Sequence, residues 1–100
     1  MIRHIVLFKL KEYSTSSEMQ KAAETLKSEL LVMKTKIPVI REFEVGINFN
    51  LGASAYDVAI NSTFENRDDL KIYQEHPAHQ AFIVFNKNYS VEKVIVDYEN

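Results

Sequence analysis

The chain has no cysteine, two glycines and two prolines among its 100 residues, and no excess of either charge worth the name. Without cysteine there is no disulfide framework, no thiolate zinc centre and no cysteine nucleophile, and a reducing compartment is the natural expectation. With only Gly46 and Gly52, the sequence holds neither a Gly-rich phosphate loop nor a Gly-x-Ser-x-Gly nucleophile elbow, which argues against nucleotide and serine hydrolysis. Twelve Lys and Arg against fourteen Asp and Glu leave a formal charge of -2 and a pI near 5.9. No global field would therefore gather nucleic acid or an anionic membrane, and neither partner is expected. The apolar run Ile5-Val6-Leu7-Phe8 ends at Lys9, short of the roughly 7 to 15 residues of a signal-peptide core and of the 18 or more that span a bilayer. A soluble, cytoplasmic protein is expected.

What is present is ordinary globular composition, 46% hydrophobic and 26% charged, which fits one compact domain over residues 1–100. A chain of this length buries about 60 to 70% of its unfolded surface, so its core is modest and gains from a partner surface. There is no internal repeat, low-complexity tract or linker.

Hydrophobic periodicity divides the chain into four strands, one long helix and a second helical stretch broken at His76. His4 to Leu10 reads as a strand whose apolar residues are consecutive rather than alternating, the mark of a strand covered on both faces. Thr15 and Glu18 offer a capping box for a helix whose stripe is Met19, Ala22, Ala23, Leu26, Leu30 and Met33, ending near Ile37-Pro38. Phe43, Val45 and Ile47 alternate in a second strand, and Val58, Ile60, Ser62 and Phe64 in a third, across a polar connection that holds Gly52. Asn66 followed by Asp69 caps a short helical segment that ends at Glu75, because Pro77 drives His76 out of helical geometry. Pro77 suits the first turn of a further helix with the stripe Ala78, Ala81, Phe82, Phe85 and Tyr89. Val91 to Tyr98 closes the chain as a strand in which Val94, Ile95 and Val96 are again consecutive.

The order β-α-β-β-α-β predicts a ferredoxin-like α+β fold, with helices on one face of a four-stranded antiparallel sheet. The consecutive apolar residues of the first and last strands predict that the other face is buried too. With no spare element to cover it, a second copy is the expected cover, giving a homodimeric α+β barrel closed through the sheet face by a two-fold axis.

Chemistry is scarce. Three histidines, His4, His76 and His79, are the side chains that titrate nearest neutrality, and His79 falls at the margin of the last helix's apolar stripe, as does Asn86. There a neutral imidazole can act as a general base, with the Tyr73 phenol donating a hydrogen bond to a substrate oxygen. A satisfied, purely structural histidine is the competing reading. His4 shares a strand face with Val6, Phe8 and Leu10, and converges with His79 only if that face is the helix side. His76 and His79 at i and i+3, with Glu75 nearby, have a spacing common by chance, and the Pro77 break disfavours a metal centre there. No metal and no cofactor are expected. Asn66-Arg67-Asp68-Asp69 reads as a solvated helix start.

Three stretches carry a family resemblance: Met1-Ile2-Arg3-His4-Ile5-Val6-Leu7-Phe8-Lys9-Leu10-Lys11, Asp57 to Phe64, and Leu70-x-x-Tyr73-x-x-His76-Pro77-Ala78-His79-x-x-Phe82. Together they resemble the stress-responsive A/B barrel domain family over nearly the whole chain. The resemblance implies a dimeric α+β barrel. The sequence is also similar to the family's polyketide cyclases of the olivetolic acid cyclase type, which close a linear polyketide by aldol condensation and keep its carboxylate. That similarity implies His79 as the general base, Tyr73 as the group that orients it or binds the substrate oxygen, and His4 as a lining residue. An apolar wall from Leu26, Leu30, Ile60 and Phe82, with His76 and Asn86 nearby, would complete a pocket for a small apolar or carbonyl-containing ligand; a cavity of about 300 Å³ or more shared by His79, His4 and Tyr73 would favour an enzyme, and a solid core there a non-enzymatic protein. Two other readings stand beside it: a non-enzymatic stress or ligand-binding dimer, and a cofactor-free monooxygenase acting on an electron-rich substrate.

Overall fold

The computed structural model describes residues 1–100 as β1 (Ile2–Leu10), α1 (Ser16–Thr35), β2 (Ile40–Ile47), β3 (Val58–Phe64), α2 (Arg67–Glu75), α3 (Pro77–Asn86) and β4 (Ser90–Glu99). The strands form one sheet in the order β2-β3-β1-β4, every neighbouring pair antiparallel. This is the ferredoxin-like topology that the element order requires. None of the helices is long and apolar enough to cross a membrane.

Local chemistry sets the boundaries. The Thr15 hydroxyl accepts from the Glu18 amide at 3.1 Å and the Asn66 side chain accepts from the Asp69 amide at 2.9 Å, so each cap satisfies an otherwise orphaned helix donor. His76 stands at φ -64°, ψ 137°, the extended geometry that a following proline imposes, and separates α2 from α3. Its Nδ1 then accepts from the Ala78 amide at 3.0 Å and caps α3.

Along β1 the residues Ile2, His4, Val6, Phe8 and Leu10 are buried, while those between them are half-buried. The buried set faces the helices. There it meets Val58, Ile60 and Phe64 of β3, Phe43 and Val45 of β2, Leu26, Leu30 and Met33 of α1, and Tyr73 and Phe82 of the later helices in one core. Ala81 departs from the expected stripe of α3, being exposed to solvent.

The opposite face is uncovered within the chain. Register places Ile5 beside Val96 and Leu7 beside Val94 there, and Val94, Val96 and Tyr98 are 40%, 59% and 46% exposed. β4 is an edge strand hydrogen-bonded only to β1, and the helical layer stops short of it, so Ile95 on the helix side is also 47% exposed. The burial expected on both faces of β4 is therefore not supplied by this chain itself.

Candidate functional site

The helix-facing side of β1 carries His4 toward the end of α2, where Tyr73 lies, and the break at His76-Pro77 turns α3 so that His79 packs over the Tyr73 ring. The ring centroids of Tyr73 and His79 are 4.5 Å apart, and those of Tyr73 and His4 are 5.6 Å apart. Phe64 closes the far side of the phenol at 5.0 Å. The face on which His4 lies is thus the helix side, and the three side chains converge.

Each imidazole is held at one nitrogen. His79 Nδ1 is 3.0 Å from the Gln74 carbonyl oxygen, which can only accept, so Nδ1 carries the proton and Nε2 is the free acceptor. His4 Nδ1 contacts Oδ1 of Asp97, its register partner on β4, and the same reasoning with an ionised carboxylate leaves His4 Nε2 free. Burial pushes the His79 pKa below the ordinary imidazole value. The Gln74 hydrogen bond opposes that shift, and Lys93 and His4 add to it. Burial, together with the nearby Asp97 charge, pushes the Tyr73 phenol well above its ordinary value, so it stays a hydrogen-bond donor.

The Tyr73 hydroxyl takes part in none of the chain's side-chain hydrogen bonds, yet no fully buried side-chain nitrogen or oxygen lacks a partner. The hydroxyl therefore opens onto space, and that space is a cavity of about 50 Å³ lined by His4, Tyr73 and His79. Val6, Phe8 and Ile60 form its sheet wall, Phe82, Ile83 and Asn86 its α3 wall, with Gln74, Lys93 and Ile95 at its remaining sides.

Of the six residues expected to line a pocket beside the two histidines and the phenol, Ile60, Phe82 and Asn86 border this cavity and three do not. Leu26 and Leu30 are fully buried in α1's core-facing stripe and do not reach the cavity, because α1 packs on β2 and α3 while the cavity lies toward β4. His76 is absent from the lining too, its Nδ1 being spent on the α3 cap. The volume is also well below the roughly 300 Å³ that would favour an enzyme pocket, and Phe8 and Phe82, edge to face at 6.2 Å, both line it. Asn86 does line the cavity, though its side-chain Oδ1 accepts from Ser90 Oγ at 2.6 Å. Sequence reasoning missed Gln74, Lys93, Ile95 and Asp97, because their positions depend on the α2–α3 turn and on the β1–β4 register. No three His, Cys, Asp or Glu side chains cluster as a metal centre would need.

A model of the stress responsive A/B barrel domain matches residues 2–100. The chain belongs to that family. An uncharacterised Streptomyces coelicolor protein is 38% identical over 99 residues, 99% of each chain. Among solved structures, a dimeric protein of ferredoxin-like fold from Bacteroides fragilis is 36% identical, with a TM-score of 0.85 over 99% of this chain and 95% of that one. A dimeric ferredoxin-like protein from Thermobifida fusca is 26% identical, with a TM-score of 0.82 over 99% and 90%. The A/B barrel fold also carries enzymes. A hydroxynitrile lyase from Passiflora edulis (19% identical, TM-score 0.79, covering 97% and 90%) and an antibiotic biosynthesis monooxygenase (12%, 0.74, covering 100% and 98%) share the architecture alone.

Proposed function

We propose that the protein is a homodimer, joined through its open sheet face, that binds a small carbonyl compound and moves a proton beside the carbonyl without a cofactor. The observation that carries this reading is that Tyr73 lines the same cavity as two imidazoles whose Nε2 atoms are free, beside apolar walls from Val6, Phe8, Ile60 and Phe82. His79 Nε2, kept neutral near pH 7 by burial, takes the proton from the carbon next to the carbonyl. The electrons of the broken C–H bond move onto the carbonyl oxygen, and the resulting enolate oxygen accepts from the Tyr73 hydroxyl. His4, anchored by Asp97, presents a second imidazole across the phenol. Roughly four waters' worth of space admits a short carbonyl head rather than a long polyketide. The dimeric relatives and the exposed apolar residues of β1 and β4 support the homodimer. A cytoplasmic location accords with the lack of cysteine.

The test is deuterium uptake at the carbons beside the carbonyl of acetone and pyruvate in D2O, followed by NMR. Wild-type protein accelerates uptake, and His79→Ala lowers the protein-dependent rate by about 100-fold or more with the fold retained. An unchanged rate in that variant removes the base assignment. The smallness of the cavity favours a second reading, a ligand-binding dimer without turnover, and wild-type protein that accelerates no exchange would support it.

A further inference from the structure

A chain of pairwise contacts connects Asp97, outside the cavity, to the groups that line it. Asp97 pairs with His4, His4 packs on Tyr73, Tyr73 packs on His79, and Lys93 stands beside His79 at the opposite end from Asp97. Lys93 is across from Phe8 in the β1–β4 register, on the same strand face as Ile95 and Asp97, and it is exposed. Four residues of strand put it about 13 Å along the chain from Asp97, too far to pair with it. It takes part in none of the chain's salt bridges. Its neighbour Glu92 alternates onto the open face, where it lies across from Lys9. Lys93 also borders a shallow groove with Ile83, Asn86, Lys87, Ser90, Val91 and Glu92, which shares Ile83, Asn86 and Lys93 with the cavity. An ammonium in no salt bridge thus stands at the edge of the cavity, beside the proposed base.

We propose that Lys93 selects substrates bearing a carboxylate: the site takes short oxo-acid anions, carbonyl inward against Tyr73 and His79, carboxylate outward on the Lys93 ammonium. This rests on the carbonyl-binding reading above and names its substrate class. The ammonium also disfavours a protonated His79, so the group that attracts the anion helps keep the base in its accepting form.

The experiment compares dissociation constants, by NMR titration at low ionic strength, for two matched pairs: pyruvate with acetone, and 4-oxopentanoate with pentan-2-one. Wild-type protein should bind at least one acid about tenfold or more tightly than its neutral partner. Lys93→Gln should bring that ratio close to one, and Lys93→Arg should restore it. A ratio near one in wild type for both pairs, a preference that survives K93Q, or no binding of any of the four compounds overturns the proposal. Because the readout is binding, it stands or falls separately from proton exchange. A protein that prefers the anion through Lys93 and exchanges no protons would sink the enzymatic reading and leave the anion selection intact.

Discussion

At the scale of single residues, His79 is held in one tautomer by a backbone carbonyl and depleted of charge by burial, and the two effects have opposite consequences for its basicity. Burial is the larger, so the folded protein binds a proton at His79 less readily than the unfolded chain does. Because the folded pKa is depressed, the unfolded state carries more protons between the lowered value and the ordinary 6.5, and stability falls as pH drops through that window. Urea midpoints measured between pH 5 and 8 should therefore decline on the acid side of about 6.5, and His79→Gln should flatten that decline. Catalysed exchange should persist through that window and fade only toward its acid end and below, where the folded imidazole itself takes up a proton. Part of this arrangement was legible in the sequence: Tyr73, His79 and Phe82 are spaced so that a kink at Pro77 brings them together. Asp97 was not, because its pairing with His4 needs the register of two strands more than eighty residues apart, and nothing in the local pattern of β4 sets it apart from a solvated carboxylate.

Among the elements, α2 and α3 decide the site. They are one amphipathic stretch interrupted by an extended residue, and the interruption lets Gln74, at the end of one helix, hold His79, near the start of the next. Their hold on the sheet begins at the Asn66 cap. Asn66→Ala should cost about 1 kcal/mol in urea denaturation, while exchange by the protein that remains folded should be little changed, since the cap lies a full helix away from the cavity. The caps, the break and the apolar stripes follow from short-range rules and were readable in advance. The placement of α1 was not. Leu26 and Leu30 are correct core residues but lie on the β2 side of the helical layer, and only the packing of α1 against α3 settles on which side of the sheet's midline a stripe will fall.

For the molecule as a whole, the uncovered sheet face dominates. Ile5, Leu7, Val94, Val96 and Tyr98 form an apolar surface without a covering element in the chain, and the similar solved proteins are dimers. Sedimentation at micromolar concentration should find a dimer. Val96→Asp, which sets a charge at the centre of that surface, should yield a monomer with its helix-side packing intact; a variant that still sediments as a dimer would move the interface elsewhere. The fold was legible at this scale because element order and consecutive apolar residues are long-range constraints written locally. The cavity's volume was not, because it depends on how Phe8 and Phe82 interlock.

Strand β4 divides its duties by parity. Positions 93, 95 and 97 look toward the helices, and 94, 96 and 98 look the other way. On the functions proposed above, substitutions at the odd positions would retune ligand choice without touching self-recognition at the even ones. A single inserted codon inside the strand would exchange the two sets at a stroke, turning greasy contacts inward and Lys93 and Asp97 outward. Drift among relatives should accordingly proceed here by replacement, with length held constant.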